Sequence, residues 1–169
     1  MSAPIIAFFN NKGGVGKTSA VYHLAWMYAE LGHTVLAADL DPQANLTAAF
    51  LDEDSLESLW DDRDRPNTIY RAIRPLIRGT GDVTASETLA VADGLSLLVG
   101  DLDLSLMEDD LSDAWPGAMD GRERAFRVLA SFWTVLQRSA ADAAASLVLV
   151  DLGPNLGALN RAALIAADH

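Results

Sequence analysis

The chain has 169 residues, half of them apolar, which suits one domain with a substantial core. It has no cysteine, which excludes disulfides and thiolate-bound metals. Its net charge of −12 disfavours a nucleic-acid-binding surface and is concentrated in residues 52–121, where five arginines face 17 acids.

The ends of the chain are nearly balanced, with two lysines against three acids in residues 1–51 and five arginines against four acids in residues 122–169. The acidic middle therefore reads as a solvated face. No basic leader precedes an apolar core at the N-terminus, and no apolar run approaches the length of a membrane span. A soluble, cytoplasmic protein is the expectation.

Pro4 to Phe9 is a continuous apolar run of β-prone residues, the pattern of a central parallel strand buried on both faces. In the segment that follows, Lys12-Gly13-Gly14-Val15-Gly16-Lys17-Thr18 sets three glycines before a Lys-Thr pair. Glycines let the backbone curl and turn successive N–H groups toward an anion, and a helix beginning near Gly16 adds its positive end. The strict phosphate-loop pattern G-x-x-x-x-G-K-[ST] is not met, because Asn11 holds the first glycine position and Lys12 adds a second lysine. Lys17 to Leu31 carries Val21, Leu24, Tyr28 and Leu31 at helical spacing, with Gly32 placed to end the helix. Its only acid is Glu30, so a largely buried helix is expected.

Thr34 to Ala38 reads as the second strand and delivers Asp39 and Asp41 at its carboxyl end, where ligands of open α/β sheets bind. Pro42 ends the strand, and Gln43 to Phe50 is expected to form a short helix. Leu51 to Asp64 is acidic and carries no motif. Asn67 to Ile77 reads as a helix capped by Asn67 or Thr68, with Arg71, Arg74 and Arg78 forming an ion-paired surface rather than a phosphate-backbone stripe. Gly79 to Asp82 is a loop, and Leu95 to Val99 reads as the third strand. Ser105 to Trp115 is an acidic helix ended by Pro116-Gly117. Arg122 to Arg138 is a further helix, with Phe126, Leu129, Ala130, Trp133 and Leu136 as its core stripe. Leu147 to Val150 is the fourth strand, ending in Asp151. Gly153-Pro154-Asn155 then turns the chain into a last helix, Ala158 to Ala167. His23, His33 and His169 show no metal spacing. Alternating strands and helices predict an α/β fold, a mostly parallel sheet with helices on both faces.

Several of these segments carry a family resemblance. The Lys12 to Thr18 loop resembles the deviant Walker A motif of the ParA/MinD family of P-loop ATPases. Ala38-Asp39-Leu40-Asp41-Pro42-Gln43-Ala44-Asn45 is similar to the second motif of its ParA branch, and Leu147 to Asp151 resembles its Walker B strand. Gly100-Asp101-Leu102-Asp103-Leu104 resembles the segment after the family's third strand, with Val99 where the family has proline. The rest of the middle carries little of the likeness. Members that hold iron–sulfur clusters need thiolates that this chain lacks. The resemblance implies a P-loop NTPase-type sheet in a single domain, residues 1–169. It also implies that this domain is the N-terminal part of a longer one, with further strands, adenine-holding residues and DNA-gripping basic residues to follow.

For chemistry, the resemblance implies an ATPase with ATP and Mg²⁺ as its ligands. Gly13, Gly14, Val15, Gly16 and Lys17 would cradle the phosphates with their backbone, Lys17 would reach the β- and γ-phosphates, and Ser19 would meet the α-phosphate. Thr18 would offer its hydroxyl to Mg²⁺, Asp151 would hold the ion through water, and Asp39 would brace the metal site. Asp41 would orient the attacking water. Lys12 would cross to the partner subunit's nucleotide, so that ATP joins a homodimer and loss of the γ-phosphate releases it.

Where the family reads Asp-x-Pro-Pro, this chain has Asp151-Leu152-Gly153-Pro154. That glycine loosens the switch segment, so slow hydrolysis is the expectation. The implied role is DNA segregation, of a chromosome or plasmid, or the positioning of another cargo such as a protein microcompartment. A ParB-like partner or cargo adaptor would stimulate hydrolysis. DNA contact and nucleoid association would reside beyond residue 169, and no membrane partner is expected. Two alternatives stand beside this reading: a MinD-like membrane-cycling ATPase, which needs a C-terminal amphipathic helix, and a nucleotide-binding switch with little turnover. Asp41-Pro42-Gln43 favours the ParA branch.

Overall fold

Runs that are apolar at every position need cover on both faces, and such runs form the centre of a single sheet here. The computed structural model describes residues 2–61 and 67–169. Its first half runs β1 (Ile5–Phe8), α1 (Lys17–Glu30), β2 (Val35–Asp39), α2 (Asn45–Phe50), α3 (Glu53–Asp61) and α4 (Ile69–Arg78). The hairpin β3 (Leu89–Ala92) and β4 (Leu95–Leu98) follows, then a 3₁₀ segment at Leu102–Met107 and the helices α5 (Glu108–Met119), α6 (Glu123–Leu129) and α7 (Ser131–Asp142). β5 (Leu147–Asp151) and α8 (Ala158–Ala166) complete it.

The strand order is β1-β5-β2-β4-β3, parallel from β1 through β4, with β3 antiparallel at the edge. Alternate residues of each strand feed opposite cores. Ile5, Leu36, Ala38, Leu98, Val148 and Val150 pack with α4 to α8, whereas Val35, Ala37, Leu95, Leu97 and Leu149 pack with α1 and α2. The register sets Phe8 beside Asp151 and Asp151 beside Asp39, so the carboxyl ends of three strands meet at one point. On the far side of β1, the backbone N–H of Ala7 donates to His169 and those of Asp168 and His169 donate to Ile5.

Some expectations from the sequence give way to the structure. The strand at Leu95 is the fourth, because Leu89–Ala92 pairs with it across the Asp93-Gly94 turn, where Gly94 has φ +74°. Asp-Gly between apolar residues is a strong short-range hairpin signal, and here it joins β3 to β4. The acidic stretch after Leu51 forms α3 as far as Asp61; its remainder lies outside the described residues. Helix α1 is less buried than its composition implied: Val21 and Ala25 are fully buried, while Met27 and Leu31 are exposed. Arg71 is not surface. It is buried, donates to Asn67 Oδ1 at 2.7 Å and lies 3.6 Å from Asp101.

Pro116-Gly117 does not end a helix but lies inside α5. An interior proline costs about 3 kcal/mol or more. Here the following glycine lets α5 meet α6, since a Cβ on Gly117 would sit 3.1 Å from Ala125 Cβ. The helix expected from Arg122 to Arg138 is two helices divided at Ala130, whose ψ is 2°. Its buried face is also in part a different one, although Leu136 of the expected stripe is buried. Ala125, Val128, Phe132, Val135 and Leu136 are buried, whereas Phe126 and Trp133 of the expected stripe are about half exposed, at 55% and 50%. Both stripes have helical spacing; the close approach of α5 selects Ala125 and Val128 in the first helix, and packing on the sheet, α4 and α8 selects Phe132, Val135 and Leu136 in the second.

Candidate functional site

The segment between β1 and α1 bends through left-handed backbone at Gly14 (φ +70°) and Gly16 (φ +87°), which glycine alone adopts without strain. Helix α1 starts without a side-chain cap, so its first amides face the loop with the helix dipole behind them. The loop lines a cleft of 450 Å³ formed by Gly13 to Ser19 with Asp41, Gln43, Asn45 and Pro154. Gln43 and Asn45 entered the sequence reading only as part of a motif; here they form the wall opposite the loop, with Asn45 Nδ2 donating to Gln43 Oε1 at 3.1 Å.

At the floor, Thr18 Oγ1 donates to Asp151 Oδ2 at 2.6 Å, tying the start of α1 to the end of β5. The other oxygen of Asp151 is buried and has no hydrogen-bond partner among the described residues. Asp41, nearly buried, lines the cleft, and its Oδ1 accepts from the Gln43 amide at 2.9 Å. Lys17 is half-buried at the cleft, and Lys12 is exposed at the loop's start, its amide bonded to Asn10 Oδ1 at 2.9 Å.

Asp39 stands apart. It is fully buried, and its Oδ2 accepts from both the amide and the hydroxyl of Thr47 at 2.8 Å, while its Oδ1 accepts from the Asp41 amide at 3.2 Å. The Thr47 hydroxyl in turn accepts from the Gly100 amide at 2.9 Å. A Cβ on Gly100 would come within 2.9 Å of Asp39 Cγ, so only glycine fits there. Asp39 thus ties α2 and the end of β4 to the loop carrying Asp41. The sequence reading omitted Thr47, and spacing alone carries no signal for it: it is the third residue of a helix, eight residues from its partner.

Electrostatics set these carboxylates apart. Burial raises Asp39 from 3.8 to about 7, against the lowering effect of the Thr47 and Asp41 hydrogen bonds, and the charge of Asp151 adds to the rise. Asp151 is raised by burial and by Asp41, and lowered by the Thr18 hydrogen bond and by Lys17. Crowded acids with one bare, buried oxygen form a place that favours a cation. No cluster of three His, Cys, Asp or Glu side chains suited to a metal exists among the described residues, so an ion here needs the Thr18 hydroxyl and an outside ligand as well.

Comparison with known proteins covers nearly the whole chain. The profile described as AAA domain matches residues 3–169. The chain is 32% identical over 169 residues to a putative replication protein A of Sinorhizobium fredii, covering 96% of this chain and 37% of that protein. It is 29% identical over 165 residues to the chromosome partitioning protein ParA of Caulobacter vibrioides, covering 97% and 53%. Among solved structures, a Corynebacterium diphtheriae protein matches at TM-score 0.87 and 33% identity, covering 98% of this chain and 57% of that one. The cobyrinic acid a,c-diamide synthase of Mycobacterium smegmatis, solved with ADP and magnesium bound, matches at TM-score 0.65 and 28% identity, covering 98% and 57%. The chain therefore spans between 37% and 57% of the length of these relatives.

Proposed function

Because this chain belongs to the ParA/MinD-like family of P-loop ATPases, we propose that it binds ATP with Mg²⁺ in the cleft before α1 and hydrolyses it slowly. The observation that carries this reading is the 2.6 Å bond between Thr18 and Asp151, beside Lys17, with the second Asp151 oxygen buried and unpartnered. Thr18 and Asp151 fit Mg²⁺ by donor type, both being oxygen ligands. When bound there, the ion neutralises charge on the phosphates.

The chain's own residues supply the rest. Amides of the loop and the start of α1 hold the phosphate oxygens, and the Lys17 ammonium balances their charge. Asp41, at the cleft wall, orients the attacking water. Lys12 reaches a second subunit's nucleotide, so that ATP holds two chains face to face and hydrolysis separates them. The cycle positions a cargo on DNA or within the cell, with a partner protein that stimulates hydrolysis. Asp41-Pro42-Gln43 and the likeness to chromosome partitioning protein ParA support this over membrane cycling. No helix among the described residues is long and apolar enough to cross a membrane.

Equilibrium binding of fluorescent ATP with Mg²⁺, alongside phosphate release, tests the reading. Lys17→Ala is expected to weaken binding at least about 100-fold, a change of about 2.7 kcal/mol. Unchanged affinity in that variant removes the site.

A further inference from the structure

From the contacts around the loop that follows β5, we infer that Asn160 is a positioning residue for phosphoryl transfer, holding that loop against Asp41 and the phosphate loop. The inference rests on the ATPase reading above.

Gly153 is buried between two side chains. A Cβ there would lie 3.3 Å from Asp41 Oδ1 and 3.6 Å from Asn160 Nδ2. Next to it, Pro154 forms one wall of the cleft and rests on the phosphate loop, with Pro154 Cγ 3.8 Å from where a Cβ on Gly13 would be. The segment thus touches both halves of the site, yet glycine gives it the most backbone freedom of any residue. Something else must hold it.

Asn160 does so. It is 1% exposed, and its Nδ2 donates to Gly153 O at 2.9 Å and to Asn155 O at 2.7 Å. Its two hydrogens therefore serve carbonyls on either side of Pro154. The amide orientation follows from this network, because the reverse placement would turn its oxygen toward two carbonyl oxygens. Helix α8, which carries Asn160, is itself anchored: Glu108 on α5 accepts from the amides of Ala158 and Leu159 at 2.5 and 3.1 Å. A single side chain thus transfers the rigidity of α5 and α8 to the cleft wall that Pro154 forms.

Removing the donors frees Gly153 to drift from Asp41, while the phosphate loop still holds the nucleotide. Misplacing a reacting geometry by an ångström costs rate far more than affinity. Asn160→Leu keeps the volume without the donors. The expected result is a kcat lowered about 10- to 100-fold, with KM and nucleotide affinity within about threefold. Asn160→Asp adds a signature that simple loss of packing lacks. Ionised, its carboxylate repels both carbonyls; protonated, it donates to one. Buried as this position is, the introduced carboxyl is expected to titrate above the ordinary carboxylate range, so its deficit relative to the native protein should shrink as the pH is lowered, while that of Asn160→Leu stays constant. Native kcat in Asn160→Leu, or matching pH profiles for the two variants, overturns the inference.

Amide hydrogen exchange separates this inference from the ATPase reading and also serves if Asn160→Leu folds poorly, since Asn160→Asp can be measured in its place. Residues 153–157 are expected to exchange faster than in the native protein, with protection in β5 preserved. If the native chain turns over no ATP, the ATPase reading falls. Equal protection at residues 153–157 overturns the role of Asn160 in either case.

Discussion

Asp39 and Asp41 lie two residues apart and face opposite worlds. Asp41 borders the cleft, whereas Asp39 is sealed beneath it with three hydrogen bonds accepted from Thr47 and Asp41. Asp41→Ala is expected to slow turnover about 100-fold or more while ATP-bound dimers persist, read by phosphate release and by solution mass. Unchanged turnover would take Asp41 out of the chemistry. For Asp39 the prediction concerns stability. Its folded value of about 7 exceeds its ordinary 3.8, so between those values the folded state keeps a proton that the unfolded state has released. Stability of the nucleotide-free protein should therefore fall as pH rises through this window, by about 2 kcal/mol between pH 5.5 and 7. Asp151 is raised as well, so its own contribution has the same sign. Urea unfolding at several pH values checks this, and Asp39→Asn is expected to flatten the dependence. An unchanged slope in that variant would assign it to other groups.

Among the elements, the contact of α5 with α6 decides which face of α6 is buried. Gly117 allows it, with Ala125 Cβ only 3.1 Å from where its own Cβ would stand. Gly117→Val is expected to destabilise the protein by about 1–3 kcal/mol through overpacking, measured by chemical denaturation. A change below about 0.5 kcal/mol, the usual scale of a surface substitution, would mean that the two helices part easily and that other contacts hold α6. The same contact explains the exposed aromatics. With Ala125 and Val128 turned toward α5 and α4, Phe126 must point outward.

For the molecule as a whole, charge and topology act separately. The acidic excess is solvated: Glu53, Asp54 and Glu57 on α3 and Asp109, Asp110 and Asp113 on α5 are all exposed. Their mutual repulsion makes a charge-free pairing of two chains unfavourable, so any nucleotide-driven dimer needs a specific bridge. Lys12, exposed at the start of the loop, is the residue proposed above to provide one. Light scattering is expected to find a dimer with ATP and Mg²⁺, a monomer with ADP, and a monomer in both for Lys12→Ala. A dimer in Lys12→Ala that still depends on ATP would remove the lysine bridge. Monomers throughout, with ATP bound, would support a switch that acts on another partner.

The sequence by itself determined the parallel core and the phosphate loop, because both depend on local chemistry. Continuous apolar runs need cover on both faces, and Gly14 and Gly16 sit where φ is positive. The order of these segments also placed Asp39 and Asp151 at strand ends, with Asp41 two residues beyond. What only the tertiary structure decided were pairings between residues far apart in the chain: Thr47 on Asp39, Arg71 beside Asp101, Glu108 on the start of α8, and Asn160 on the loop after β5. Helical spacing likewise allowed two faces for residues 123–142; the approach of α5 chose that of α6, and packing on the sheet, α4 and α8 chose that of α7. A pattern along the chain records what a residue needs, burial or a partner. Which partner meets that need is settled when the sheet closes and distant segments come within hydrogen-bond reach.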